Sequence, residues 1–204
     1  MGSHERAPVL LVPYMWIGDF VRCHSVVQVL KRRWPERPVD VLTTSLTRPL
    51  VDYMPGVRKG VLADLPRGRL GWRENRDLAR RLRQEGYGTA LVMSRKWKAA
   101  LAPFLAGIPE RTGYVGEARY GLLNDRRSGE RRIARMLDQC AALALPAGAP
   151  WPPAWPLPSL AVPAAELAAW RTRRGLGGEA SVVALCPGAV GPSKRWPGER
   201  YAAL

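Results

Sequence analysis

Short apolar runs alternate with amphipathic stretches from Val9 to Leu145, and that alternation leaves few folds open. Val9 to Val12 is a run of the kind found in strands buried on both faces, and Pro13 to Gly18 break it. From Phe20 to Trp34 the apolar residues Val26, Val27, Val29 and Leu30 recur among polar ones, with Lys31, Arg32 and Arg33 at the end. Cations there complement the carbonyl end of a helix, so the stretch predicts one. Val39 to Thr43 predicts a second strand, Thr47 to Met54 a short helix stopped at Pro55-Gly56, and Gly60 to Leu62 a third strand. The pattern then repeats as a helix over Trp72 to Gln84, a strand over Thr89 to Met93 and a helix over Lys96 to Ala106. A strand over Glu110 to Tyr114 and a long amphipathic helix over Arg131 to Leu145 close the series. Such alternation marks βαβ units on a parallel sheet, an α/β fold.

The composition changes at Pro146. Residues 146–163 read PAGAPWPPAWPLPSLAVP, and proline at that density excludes regular elements and favours an extended, semi-rigid connector. The expected organisation is therefore a domain over 1–145, a linker over 146–163 and the start of a second domain over 164–204. The last part predicts a helix over Ala164 to Arg174, a strand over Val182 to Cys186, a Pro/Gly-rich loop and a helix beginning near Glu199. One strand and one and a half helices cannot bury a core, so the chain reads as the opening of a truncated domain.

Several classes of protein fall away. Cys23, Cys140 and Cys186 are odd in number and far apart, which gives neither a disulfide framework nor a CxxC knuckle, and a reducing cytoplasmic setting fits them best. His4 and His24 are too few for a histidine-rich metal site, so no metal and no cofactor is expected. No apolar run approaches the ~18–20 residues of a membrane span, and no apolar leader stands at the N-terminus. The charge is unusual: 32 Lys and Arg against 17 Asp and Glu give +15, almost all of it from arginine. Two readings stay open, a drift in codon usage towards arginine or an anionic partner such as a phosphate, an acidic sugar, a membrane surface or nucleic acid.

Four motifs stand at predicted strand ends, where parallel sheets bind ligands. In Trp16-Ile17-Gly18-Asp19, Gly18 permits a sharp turn or close ligand approach, and Asp19 is either a helix N-cap or a general base. The turn is not GxGxxG, so a nicotinamide site is not indicated. Ser94-Arg95-Lys96-Trp97-Lys98 places three cations at a predicted helix start, against the helix dipole, which favours an anionic ligand over a merely solvated terminus. Arg111 to Tyr114 with Arg119 to Asp125 combines arginines and tyrosines, suited to sugars and phosphates or simply to a surface loop. Cys186-Pro187-Gly188-Ala189 followed by Gly191-Pro192-Ser193-Lys194-Arg195-Trp196-Pro197 offers backbone N–H groups and an ammonium to a phosphate without the Walker spacing. An ordinary proline-rich turn with a solvated lysine is the alternative.

These motifs in this order resemble the lipopolysaccharide heptosyltransferases of glycosyltransferase family 9, within them the type II branch. The resemblance rests on WIGD, RPLVDYMPGV, AGIPERTGY, GEARYGLLND and CPGA with GPSKRWP, and covers most of the chain. It implies a GT-B fold: a Rossmann-like N-terminal domain with a parallel sheet, then a second Rossmann-like domain, here only begun. It implies inverting, metal-independent transfer of L-glycero-D-manno-heptose from ADP-heptose to the inner-core heptose of lipopolysaccharide. Asp19 matches the family's catalytic base, and Lys194, with Ser193 beside it, the donor-diphosphate contact. Lys96, Lys98 and Arg119 fall on the acceptor side. The loop Ala189-Val190-Gly191 is a residue shorter than the family pattern. The positive charge suits a lipopolysaccharide acceptor embedded in an anionic membrane face, so peripheral contact with the inner face of the inner membrane is expected. No RNP, helix-turn-helix or zinc motif is present and the basic residues are spread out, so no nucleic-acid partner is expected. Because the family's adenosine pocket lies downstream, the 204 residues alone are expected to be inactive. The alternatives are a related GT-B enzyme with another nucleotide sugar or acceptor, and a basic α/β binding module without catalysis.

Overall fold

The computed structural model describes residues 6–66, 68–176, 182–189 and 191–203. The chain forms two compact units, Met1–Ala161 and Val162–Leu204. In the first, six strands make one sheet: β1 (Val9–Val12), β2 (Val39–Thr43), β3 (Lys59–Leu62), β4 (Thr89–Val92), β5 (Glu110–Tyr114) and β6 (Asp125–Arg127). Their order is β3-β2-β1-β4-β5-β6, every pair parallel, which is a Rossmann-like topology.

β1 lies at the centre of this order, between β2 and β4. All four of its residues are buried because helices cover both faces of the sheet. Alternation along the strand divides them. Val9 and Leu11 join one core with Phe20, Val26 and Val27 from α1 (Ile17–Arg22) and α2 (His24–Arg33), and with Ala141 from α5 (Met136–Ala142). Leu10 and Val12 join the other, with Leu78 and Leu82 from α3 (Trp72–Gln84) and Ala100 from α4 (Trp97–Leu105).

The sequence reading is met closely at β1, β2, β3, β4, β5, α3 and α4, and departs elsewhere. The single helix expected over Phe20 to Trp34 is two, α1 and α2, which meet at Cys23. The long helix expected over Arg131 to Leu145 contracts to α5. Ahead of it a single 3-10 turn, Glu130–Arg132, follows Gly129, and Ile133 and Arg135 are extended. Side chains hold that extension: Gln139 Nε2 donates to the Ile133 carbonyl at 2.8 Å, and Arg135 pairs twice with Asp138. β6, an edge strand of polar residues, carries no apolar signal and was not legible.

In the second unit α6 (Ala164–Arg173) and α7 (Gly198–Ala202) form as expected. The strand expected over Val182 to Cys186 does not. Among the described residues no strand pairs with them, and Val183 is 83% exposed. An apolar run becomes a strand only when another strand accepts its backbone hydrogen bonds.

One buried charge is built into the sheet. Asp40 of β2 is fully buried, and its carboxylate accepts two hydrogen bonds from Arg58, at 2.8 and 2.6 Å, and one from the Tyr87 hydroxyl at 2.6 Å. Burial, then the bond to Asp40, pushes the Tyr87 phenol well above its usual range, so it remains a donor. Replacing Arg58 by Met should cost about 3 kcal/mol, because the carboxylate stays buried without its countercharge. Urea unfolding of the two proteins measures the difference.

Candidate functional site

Where β1 and β4 run side by side, the helices that follow them leave in opposite directions, to opposite faces of the sheet. At such a switch point the carboxyl ends of the strands leave a crevice. Here it is a cleft of about 450 Å³ with largely apolar walls. Tyr14 and Trp16 line it from beyond β1, Thr44 from the end of β2, Ser94 from the end of β4 and Lys98 from the first turn of α4.

Asp19 stands one turn past Trp16, in the first turn of α1 and outside the cleft lining. It caps nothing: the N-cap position belongs to Trp16, and no side chain caps the helix. Its Oδ1 accepts a 2.6 Å hydrogen bond from Arg22 Nη1, and its side chain is about one-quarter exposed. The carboxylate is thus anchored yet reachable. Tyr14, which lines the cleft, lies within electrostatic reach of Arg95, Arg119 and Asp19. Burial first, then Cys140, raises the Tyr14 phenol above its usual range. Cys140 is a buried thiol pushed up to about 11, by burial and then by Asp19. Both groups stay protonated around neutral pH.

Gly18 corrects the sequence reading. It is the second residue of α1, not part of a turn, and open space surrounds the position a Cβ would take. A helix needs no glycine there, so Gly18→Ala should stabilise the fold by about 0.5–1 kcal/mol, measured by urea unfolding.

The cations after β4 have distinct roles. Lys96 is 76% exposed and its Nζ meets Glu117 Oε1 at 2.5 Å. Glu117 Oε2 also accepts the N–H of Trp97, the first residue of α4, at 3.1 Å. The carboxylate therefore supplies the negative charge that this helix start lacks in its own sequence. The bond from Lys96, then that from Trp97, holds Glu117 below the usual carboxylate range. Lys98 lines the cleft, and its Nζ lies 3.3 Å from the Arg69 carbonyl.

Arg119 has a job other than the one expected of it. It is 3% exposed, and its guanidinium donates to the carbonyls of Tyr114 and Ser94. It braces the loop after β5 against the loop after β4 rather than offering a free fork to a ligand. Gly116 makes the close approach possible, because a Cβ there would lie 3.0 Å from Arg95 Cβ. Glu117 and Ala118 follow at φ 41° and 50°, left-handed values that non-glycine residues hold only when their surroundings impose them. The other loop candidates are likewise internal. Arg111 donates to the carbonyls of Leu122 and Ile108, and the Tyr114 hydroxyl donates to that of Gln139. Sequence reasoning missed Tyr14 and Glu117, because nothing in their neighbours indicates that folding brings them beside Asp19 and α4.

Ser193 and Lys194 belong to the second unit, in a 3-10 turn, Pro192–Lys194, after Gly191 at φ +96°. Both are exposed, and the Lys194 N–H donates to the Gly191 carbonyl at 3.2 Å. The expected loop is only partly visible, as Val190 lies outside the described residues.

A Rossmann-like sheet with a cleft at its switch point, and a carboxylate just past the end of its first strand, defines an α/β domain built to hold a ligand. The chain belongs to glycosyltransferase family 9 (heptosyltransferase), whose model matches residues 75–204. It is 37% identical over 205 residues to lipopolysaccharide heptosyltransferase 2 of Escherichia coli (strain K12), covering 96% of this chain and 58% of that protein. The chain thus spans under two-thirds of this relative's length. Among solved structures, E. coli ADP-heptose lps heptosyltransferase II superposes with a TM-score of 0.83 at 35% identity, over 96% of this chain and 59% of that one. A family 9 glycosyl transferase from Veillonella parvula DSM 2008 superposes at 0.82 with 16% identity, over 100% and 60%, a likeness of fold alone. The GT-B-type fold expected from the resemblance is shared with these structures.

Proposed function

We propose that the chain is the acceptor-side part of an ADP-heptose-dependent transferase that adds L-glycero-D-manno-heptose to the inner-core heptose of lipopolysaccharide. The observation that carries this reading is the identity to the E. coli enzyme along nearly the whole chain. Asp19, just past the end of the central strand, supports it.

In this reading the acceptor hydroxyl attacks the anomeric carbon of the donor heptose and passes its proton to Asp19. The bond between that carbon and the diphosphate oxygen breaks on the opposite side, which inverts the centre and releases ADP. Lys194, with Ser193 beside it, offsets the charge that develops on the leaving diphosphate. Lys98, which lines the cleft, and Lys96, two residues before it, are the acceptor-side cations. Arg119 acts on them only indirectly, through the loop that carries them. Cytoplasmic placement, with peripheral contact to an anionic membrane face, follows from the substrate and is favoured by the +15 charge. No described helix is long and apolar enough to cross a membrane.

In an enzyme of its relatives' full length, Asp19→Asn should lower the transfer rate at least about 100-fold while the circular dichroism spectrum stays unchanged. Normal turnover by that variant would sink the assignment of the base. Lys194→Ala should raise KM for ADP-heptose and lower kcat without moving the melting temperature. Unchanged donor kinetics would remove Lys194 from the site.

A further inference from the structure

The connector does not hang free before the second unit. Trp155 packs against the first unit's core and Pro156 is buried. The Leu157 carbonyl then accepts a hydrogen bond from Gln28 Nε2 at 2.5 Å. The Ser159 N–H donates to His24 Nδ1 at 3.0 Å, and the Ala161 N–H donates to the Tyr53 carbonyl at 2.8 Å. Every second residue from 155 to 161 thus engages an earlier part of the first unit, which is how an extended segment with a period of two is held.

His24 stands in the middle of this seam. It is 1% exposed, and its two ring nitrogens have opposite duties. Nε2 lies 2.8 Å from the Pro55 carbonyl, which can only accept, so Nε2 carries the hydrogen. Nδ1 faces two donors, the Ser159 N–H and, at 3.2 Å, Gln28 Nε2, so it carries none. One neutral tautomer satisfies every partner.

We infer that residues 155–161 are a strap fastened to the first unit, with His24 as its buckle, and that protonating His24 releases the strap. A second ring hydrogen would point at two N–H groups, and the Ser159 bond would be lost. Among the described residues that line the hollow beside the imidazole there is no carboxylate to stabilise the cation. The charged side chains lining the hollow beside the imidazole are Lys31 and Arg32 of α2, while Pro55-Gly56 and Ser159 bring none. Burial lowers the pKa of His24 from its ordinary value, in keeping with that geometry. The released imidazole titrates near its ordinary value of about 6.5, so the fastened state loses ground as the pH falls through that value. The consequence is mechanical: while buckled, the chain leaves the first unit at Ala161, whereas once released the free tether begins some seven residues earlier.

Amide exchange of the 204-residue chain, followed by NMR and expressed as protection over the intrinsic rate, tests this. Between about pH 7.5 and about pH 5.5 the Ser159 amide should lose roughly tenfold in protection, while Leu11 and Leu91 in the sheet keep theirs. In His24→Gln the pH dependence should vanish, whatever the starting protection. Protection that does not change with pH in the parent chain, or a loss that persists in His24→Gln, would overturn the inference. A second measurement needs no variant: the imidazole nitrogen spectrum at neutral pH should show hydrogen on Nε2 and none on Nδ1. The reverse tautomer would equally overturn it. Neither test depends on transferase activity.

Discussion

The structure depends on the complete burial of β1. Four apolar residues, Val9 to Val12, are covered by helices on both faces and by β2 and β4 on both edges. A strand so enclosed cannot slip in register, since a shift of one residue would exchange the two cores that its side chains feed. Its carboxyl end is therefore a fixed point. The backbone that leaves it carries Tyr14 and Trp16 into the cleft and Asp19 into the first turn of α1. The fixed position of Asp19 thus comes from the buried strand behind the helix in which it lies.

Around that point the charges are arranged in pairs that limit one another. Arg22 holds Asp19, Glu117 holds Lys96, and Glu130 holds Arg95 at 3.1 Å. Arg119 lies beneath them as a buried brace between two loops. In so basic a chain these pairings matter more to the site than the net charge does. They hold these carboxylates in place, and Lys96 and Trp97 together keep Glu117 below the usual carboxylate range, while Lys98 lines the cleft. The left-handed backbone at Glu117 and Ala118 is held by the same bonds.

Much of the fold was legible in the residues. Burial on both faces makes β1 a continuous apolar run and β2 and β4 largely apolar ones, broken at Asp40, Thr43 and Thr89, and the spacing of Leu78, Ala79 and Leu82 marks α3 without reference to anything distant. The errors came where a partner decides. β6 is polar and exists because β5 offers it hydrogen bonds. Val182 to Cys186 is apolar and is not a strand, because none of the described strands lies beside it. The helix over Arg131 to Leu145 had the right periodicity, but side-chain bonds from Gln139 and Arg135 keep its first turns extended.

The site divides along the same line. The residues by themselves determined that this is an α/β chain, that a glycine-aspartate pair follows its first strand, and that a proline-rich segment follows Leu145. They also carried the likeness to the heptosyltransferases, because motif order survives in one dimension. Only the tertiary structure decided what each side chain does. It placed Gly18 inside a helix, buried Arg119 as a brace, and set Glu117 at the start of α4 from 20 residues away. It also tied the connector to His24, 135 residues distant. The physical reason is that a side chain's role is set by the dielectric and the donors and acceptors around it, and those are assembled from parts of the chain that do not adjoin in sequence.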